Sequence, residues 1–215
     1  IANTLTKNKI SPEVQPIHNQ LENCIEQRSK ETIQLIGLQG GHLFLPNDYL
    51  KTNTADITYG IKDNKNSLIS INEIENQLNN YLSIIIPLCI EDNNFQDQEI
   101  TRNNLIVNSE INQNEINIQV DYPLTIKKNE DTFELNNPYQ ISINFPLGKS
   151  HNIANTIITN QLRNLDFVNL DLISNQEFKV DILPYNQQIT TFSIIDEQSE
   201  FTFRFGVKKW KKYLS

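Results

Sequence analysis

The sequence contains no methionine, and its first residue is Ile1 rather than an initiator. The expectation is a processed chain, from which a leader was cleaved or an anchor removed. No apolar run approaches the roughly 20 residues that span a bilayer, and no signal-peptide hydrophobic region occurs in the chain as it stands. Basic residues are the scarcer charge: 18 Lys and Arg against 26 Asp and Glu give a net charge of −8 and a pI near 4.9. With no broad basic face, nucleic-acid binding is excluded as the main role. No Asn-x-Ser/Thr sequon occurs, although chance placement of about thirty asparagines would give on the order of three or four. N-linked glycosylation is therefore not expected. The two cysteines form no Cys-x-x-Cys pair, which argues against a zinc or dithiol redox site.

What is present reads as one folded unit. At 215 residues the chain can bury a single core, and the charged fraction is only 20% because Asn and Gln carry the polar share. Ile and Asn each occur about thirty times, as an A/T-rich genome would give. The amides are interleaved with regularly spaced Ile and Leu, so no prion-like tract forms. Cys24 and Cys89 fit one disulfide in an oxidising compartment, closing a loop of about 65 residues for roughly 4 kcal/mol. Two unrelated buried thiols are the alternative.

Residues 1–13 read as an N-terminal arm, 14–207 as a single domain and 208–215 as a basic, aromatic tail. Pro16 suits the first turn of a helix whose stripe is Ile17, Leu21, Ile25, Thr32, Leu35 and Ile36. The helix ends at Gly37 to Gly41, and "HLFLP" is expected as a short strand. Ile57, Tyr59 and Ile61 alternate as another strand, closed by the polar turn "KDNKN". Ser70 and Glu73 announce a second helix by capping-box spacing, and Pro87 ends it. Strands with period two then run as an antiparallel meander through Leu105, Val107, Ile116–Tyr122, "LTIKK", "TFEL" and Tyr139–Phe145, with "SEINQNE" as a turn. A third helix near 149–162, a helical piece near 167–173 and three closing strands complete an α+β fold. The expectation is one or more antiparallel sheets, about seven to nine strands in all, with three main helices packed on them.

The candidate sites are sparse. Gln39, Gly40 and Gly41 fit a helix C-cap and tight turn, since an anion prefers the opposite helix end; a close backbone contact or ligand edge is the other reading. Gly148-Lys149-Ser150 imitates the end of a phosphate-binding loop, but Ile143 stands where that motif needs glycine and Pro146 removes a donor. His18, His42 and His151 lie on different elements without ligand spacing, no G-x-S-x-G elbow exists, and the acidic segments "IEDNNFQDQE" and "SIIDEQSE" read as solvated loop charge. No catalytic residue, metal or cofactor is assigned. Lys208, Lys209, Lys211 and Lys212, with Trp210 and Tyr213 between them, concentrate positive charge on a chain that would otherwise carry about −12. Such a tail suits a membrane interface or an acidic neighbouring subunit, or is simply a solvated strand end.

Taken together, "LENCIEQRSKETIQLIGLQGGHL", "PLCIED", "VDYPLTIKK" and "SIIDEQSEFTFRFGVKKW" resemble a group of extracytoplasmic envelope proteins from small-genome archaea, from about Val14 onward. The resemblance implies that a short basic stretch and one hydrophobic helix, like a pilin leader and anchor, precede this domain. It implies no catalytic residues. The expected function is a non-catalytic cell-surface structural protein, a homo-oligomeric or polymeric subunit of a filament or surface assembly. Ile1, Leu5 and Ile10 of the arm, with the basic tail, are its candidate interface and possible envelope contact. The rival is an extracytoplasmic ligand-binding or enzymatic domain with a pocket near Gly40, Gly41 or His42.

Overall fold

The computed structural model of the protein describes residues 10–90, 98–165 and 167–209. Helix α1, Gln15–Leu38, buries Ile17, Leu21, Ile25, Ile33 and Ile36, with Pro16 in its first turn, where a missing N–H is no loss. Leu35, which the spacing put on the stripe, sits at its rim, 37% exposed, and Ile33 takes the inward place. Strands β1, Tyr59–Lys62, and β2, Lys65–Asn66, form a hairpin. Its turn residues Asp63 and Asn64 both take the positive φ that tight hairpins need. In α2, Ile71–Ile85, the Ser70 hydroxyl accepts the Glu73 N–H as the capping spacing predicts. Pro87 does not stop the chain at once, because a 3₁₀ turn, Ile86–Cys89, extends the helix.

The expected strands form, but in a different arrangement. They are β3 (Glu99–Arg102), β4 (Ile106–Ile111), β5 (Ile116–Asp121), β6 (Leu124–Lys128), β7 (Asp131–Leu135) and β8 (Tyr139–Ile143). Helices α3, Leu147–Gln161, and α4, Leu170–Ser174, lead into β9 (Lys179–Pro184), β10 (Ile189–Asp196) and β11 (Phe201–Lys208). The fold is α+β as expected, and among the described residues three helices are substantial and the strands number eleven, slightly more than the seven to nine expected.

One meander was anticipated where the chain builds two three-stranded sheets, β3-β6-β7 and β4-β5-β8. The reason lies in two prolines. Pro123 cannot donate to a ladder, so β5 ends and the chain crosses to β6; Pro138 marks the return from β7 to β8. β3 starts at Glu99, the last residue of the acidic segment expected as loop, and "SEI" of the expected turn belongs to β4. "HLFLP" is not a strand. The N–H groups of Leu43 and Phe44 both donate to the Gln77 amide oxygen of α2, at 2.9 and 3.1 Å, so a side chain takes the donors a strand partner would use.

The third sheet has the order β2-β1-β11-β10-β9 and is antiparallel except for β1 beside β11, with Tyr59 opposite Gly206 and Ile61 opposite Val207. Helices α1 and α3 pack on it. Phe192, Phe201, Phe203 and Phe205 are fully buried, and the rings of Phe192 and Phe205 stack at 5.1 Å. Gly37 shows how tightly α1 approaches: a Cβ there would lie 2.4 Å from the Thr202 carbonyl oxygen. Helix α2 packs against β4, and its Glu75 carboxylate accepts the Ile111 N–H at 2.8 Å, occupying one donor on that sheet edge.

Candidate functional site

Cys24 of α1 and Cys89 at the end of the 3₁₀ turn form a disulfide, with Cα atoms 5.8 Å apart across 65 positions. α1 is thereby stapled to the end of α2, and the Gln20 amide donates to the Cys89 carbonyl at 3.4 Å. Beside the staple runs a groove of about 260 Å³ lined by Arg28, Glu31, Thr32, Leu35, Tyr81, Ile85 and Leu88. Leu88, in the 3₁₀ turn, is 68% exposed and Ile84, in the last turn of α2, 65%. The Arg28–Glu31 ion pair, at 3.1 Å, forms its polar rim. Large apolar side chains gathered at one place on a polar surface are the kind of patch that contacts another macromolecule.

Gln39, Gly40 and Gly41 are built into the fold as a helix stop. The Gly40 N–H donates to Gly37 and the Gly41 N–H to Ile36, at 3.2 and 2.8 Å, a paired arrangement that closes the last carbonyls of α1. Both glycines have positive φ, +72° and +95°. The turn is also pressed against the junction of β1 and β11: the Thr58 hydroxyl donates to the Gln39 carbonyl at 2.8 Å, and Gln39 donates through its side chain to the His42 carbonyl. Turn and close backbone contact are therefore the same feature.

The residues expected at an interface divide. Ile1, Leu5, Trp210, Lys211, Lys212 and Tyr213 lie outside the described residues. Ile10 packs against the protein's own core. Lys208 ends β11, pairs with Asp48 at 2.9 Å and sits 5.0 Å over the Tyr59 ring, while the Lys209 N–H donates to the Gln188 carbonyl. The basic tail thus begins inside the sheet. Lys62 joins the same carboxylate at 3.1 Å. Asp48 is held below the usual carboxylate range, first by its hydrogen bond from Lys208 and then by Lys62.

Lys149 pairs with Glu177 and lies 5.1 Å over the Phe178 ring, Gly148 abuts the Asn112 carbonyl, and the Ser150 hydroxyl is buried, so the Gly-Lys-Ser stretch is a packed helix entry. His18 stacks on Tyr139 at 4.9 Å. His151 hydrogen-bonds the Ile69 carbonyl through Nε2 at 2.7 Å, while its Nδ1 is buried without a partner among the described residues. Burial pushes the imidazoles of His151 and His42 below the ordinary 6.5. A folded-state pKa below the unfolded one means stability that is present above that value and is lost as pH falls below it. Urea midpoints should therefore drop between about pH 7.5 and about pH 5.5, and His151→Gln should flatten that profile whatever its own stability. An equal slope in the variant would remove His151 as the cause.

A concavity of about 510 Å³ lies on the solvent face of β4-β5-β8. The registers place Glu110, Asn117 and Ser142 in one row and Asn108, Gln119 and Gln140 in the next. Sequence reading missed this face because it followed only the apolar half of "INIQVD" and "YQISI". The signal was the other half of the same alternation, an amide or hydroxyl at every second position. Among the described residues no group of acidic, histidine or cysteine side chains is placed to hold a metal, and no helix is long and apolar enough to cross a membrane. Compared with known proteins, the chain matches no family model, no curated protein and no solved structure.

Proposed function

We propose that this is a non-catalytic structural domain of an archaeal cell surface, working as a subunit of an extracellular filament or surface assembly. The observation that carries the reading is the Cys24–Cys89 disulfide, which fits an oxidising, extracytoplasmic compartment. The apolar groove beside it supports contact with a second copy, since Leu35, Tyr81, Ile85 and Leu88 cluster there with Ile84 at hand. β9 is the outer strand of its sheet and carries exposed Leu183, an edge to which the segment "IANTLTKNKI" of a neighbouring copy adds a strand in this reading. The basic tail then meets an acidic neighbour or the envelope.

Electron microscopy of the native cell surface, with intact mass spectrometry of non-reduced protein, tests the proposal. Ordered polymers whose subunit mass is lower by the hydrogens lost on forming the bond support it; a monomer with free thiols overturns it. Leu88→Glu and Ile84→Glu should abolish assembly while changing stability by no more than about 0.5 kcal/mol, because both side chains are largely solvated in the isolated chain. Unchanged polymers in both variants would remove the groove from the interface.

A further inference from the structure

The geometry points to the solvent face of β4-β5-β8 as a binding surface for a neutral, polyhydroxylated glycan. The face is built by strict alternation: Val107, Ile116, Ile118, Val120, Tyr139, Ile141 and Ile143 turn into the core, which leaves Asn108, Glu110, Asn117, Gln119, Gln140 and Ser142 outward around the concavity of about 510 Å³. Strands lie about 4.8 Å apart, and outward side chains along one strand about 6.6 Å apart, so hydrogen-bonding groups are presented as a grid.

Three of these groups are oriented by their neighbours. The two carboxylate oxygens of Glu115 accept from the Asn117 amide and the Ser142 hydroxyl, at 3.3 and 3.2 Å, and Asp121 accepts from the Gln119 amide at 3.2 Å. The remaining lone pairs and N–H groups of those side chains stay available to solvent. Asn108 and Gln140 make no side-chain hydrogen bond among the described residues, so both planar amides keep their full set of donors and acceptors. A planar amide offers a donor and an acceptor side by side, which is what a pair of vicinal hydroxyls requires.

Charge decides against other ligands. The face carries Glu110, Glu115 and Asp121 and, among the described residues, no cation, which disfavours phosphates, nucleic acid and acidic glycans. Its single large apolar side chain is Ile106, which disfavours an apolar peptide. A hydrogen-bonding face without an aromatic platform holds each sugar weakly, so a polymer whose repeated sugars lie across the rows of one such face is the occupant that fits.

The test is native gel electrophoresis of the full chain in gels cast with dextran, soluble β-glucan or galactomannan, with heparin as the anionic control. Retardation by at least one neutral polymer, weakened about tenfold or more by Asn108→Ala with Gln140→Ala at an unchanged Tm, is the expected result. Retardation that survives the double substitution, retardation by heparin alone, or no retardation by any polymer overturns the assignment. Because the assay reads binding by single chains, it is independent of whether the protein polymerises.

Discussion

Opening the Cys24–Cys89 bond is expected to lower the unfolding free energy by about 4 kcal/mol, since it releases a loop of 65 positions in the denatured chain. The native contacts around it should survive. α1 keeps Ile17, Leu21 and Ile25 in the core, and Cys89 is a buried side chain at the end of a turn that also buries Ile86. The paired substitution Cys24→Ser with Cys89→Ser should therefore fold, but with a lower urea midpoint and a larger denaturant slope, because the uncrosslinked denatured chain exposes more surface. Equilibrium unfolding with and without reductant measures both quantities. An unaltered midpoint would mean that the bond is absent in the native protein, and the extracytoplasmic proposal would fall with it.

Gly40→Ala should cost about 2–4 kcal/mol, the sum of a left-handed backbone at φ +72° and a Cβ with no room. That Cβ would stand 2.5 Å from the Thr58 hydroxyl and 2.8 Å from the Arg204 carbonyl oxygen. Neither neighbour yields easily. The hydroxyl holds the Gln39 carbonyl, and the carbonyl oxygen belongs to the backbone of β11. Asparagine separates the two causes, since it tolerates left-handed geometry yet carries the same Cβ. Gly40→Asn should remain nearly as destabilised as Gly40→Ala in urea unfolding. A near-wild-type Gly40→Asn would show that backbone strain alone matters and that the contact with β1 and β11 is loose.

The Gln-Gly-Gly turn shows where sequence reading stops. Two adjacent glycines after an amphipathic helix predict a stop, because the left-handed region is open to them. Nothing local says that Thr58 and Arg204, far along the chain, close over Gly40 from the other side. The C-terminal lysines behave likewise. Their clustering is visible in the sequence, but only the register of β11 brings Lys208 to Asp48 and onto Tyr59.

The sequence by itself determined the helices, most of the strands and their buried faces, because hydrophobic periodicity and caps such as Ser70 act over a few residues. It also left the cysteine pair as an open choice between a bond and two thiols. Tertiary structure decided that choice, the split of one meander into two sheets, the parallel pairing of β1 with β11, and the amide face of β4-β5-β8. Each depends on which distant segments meet, and a ladder partner or a disulfide partner is selected by the packing of the whole core rather than by its neighbours in the chain.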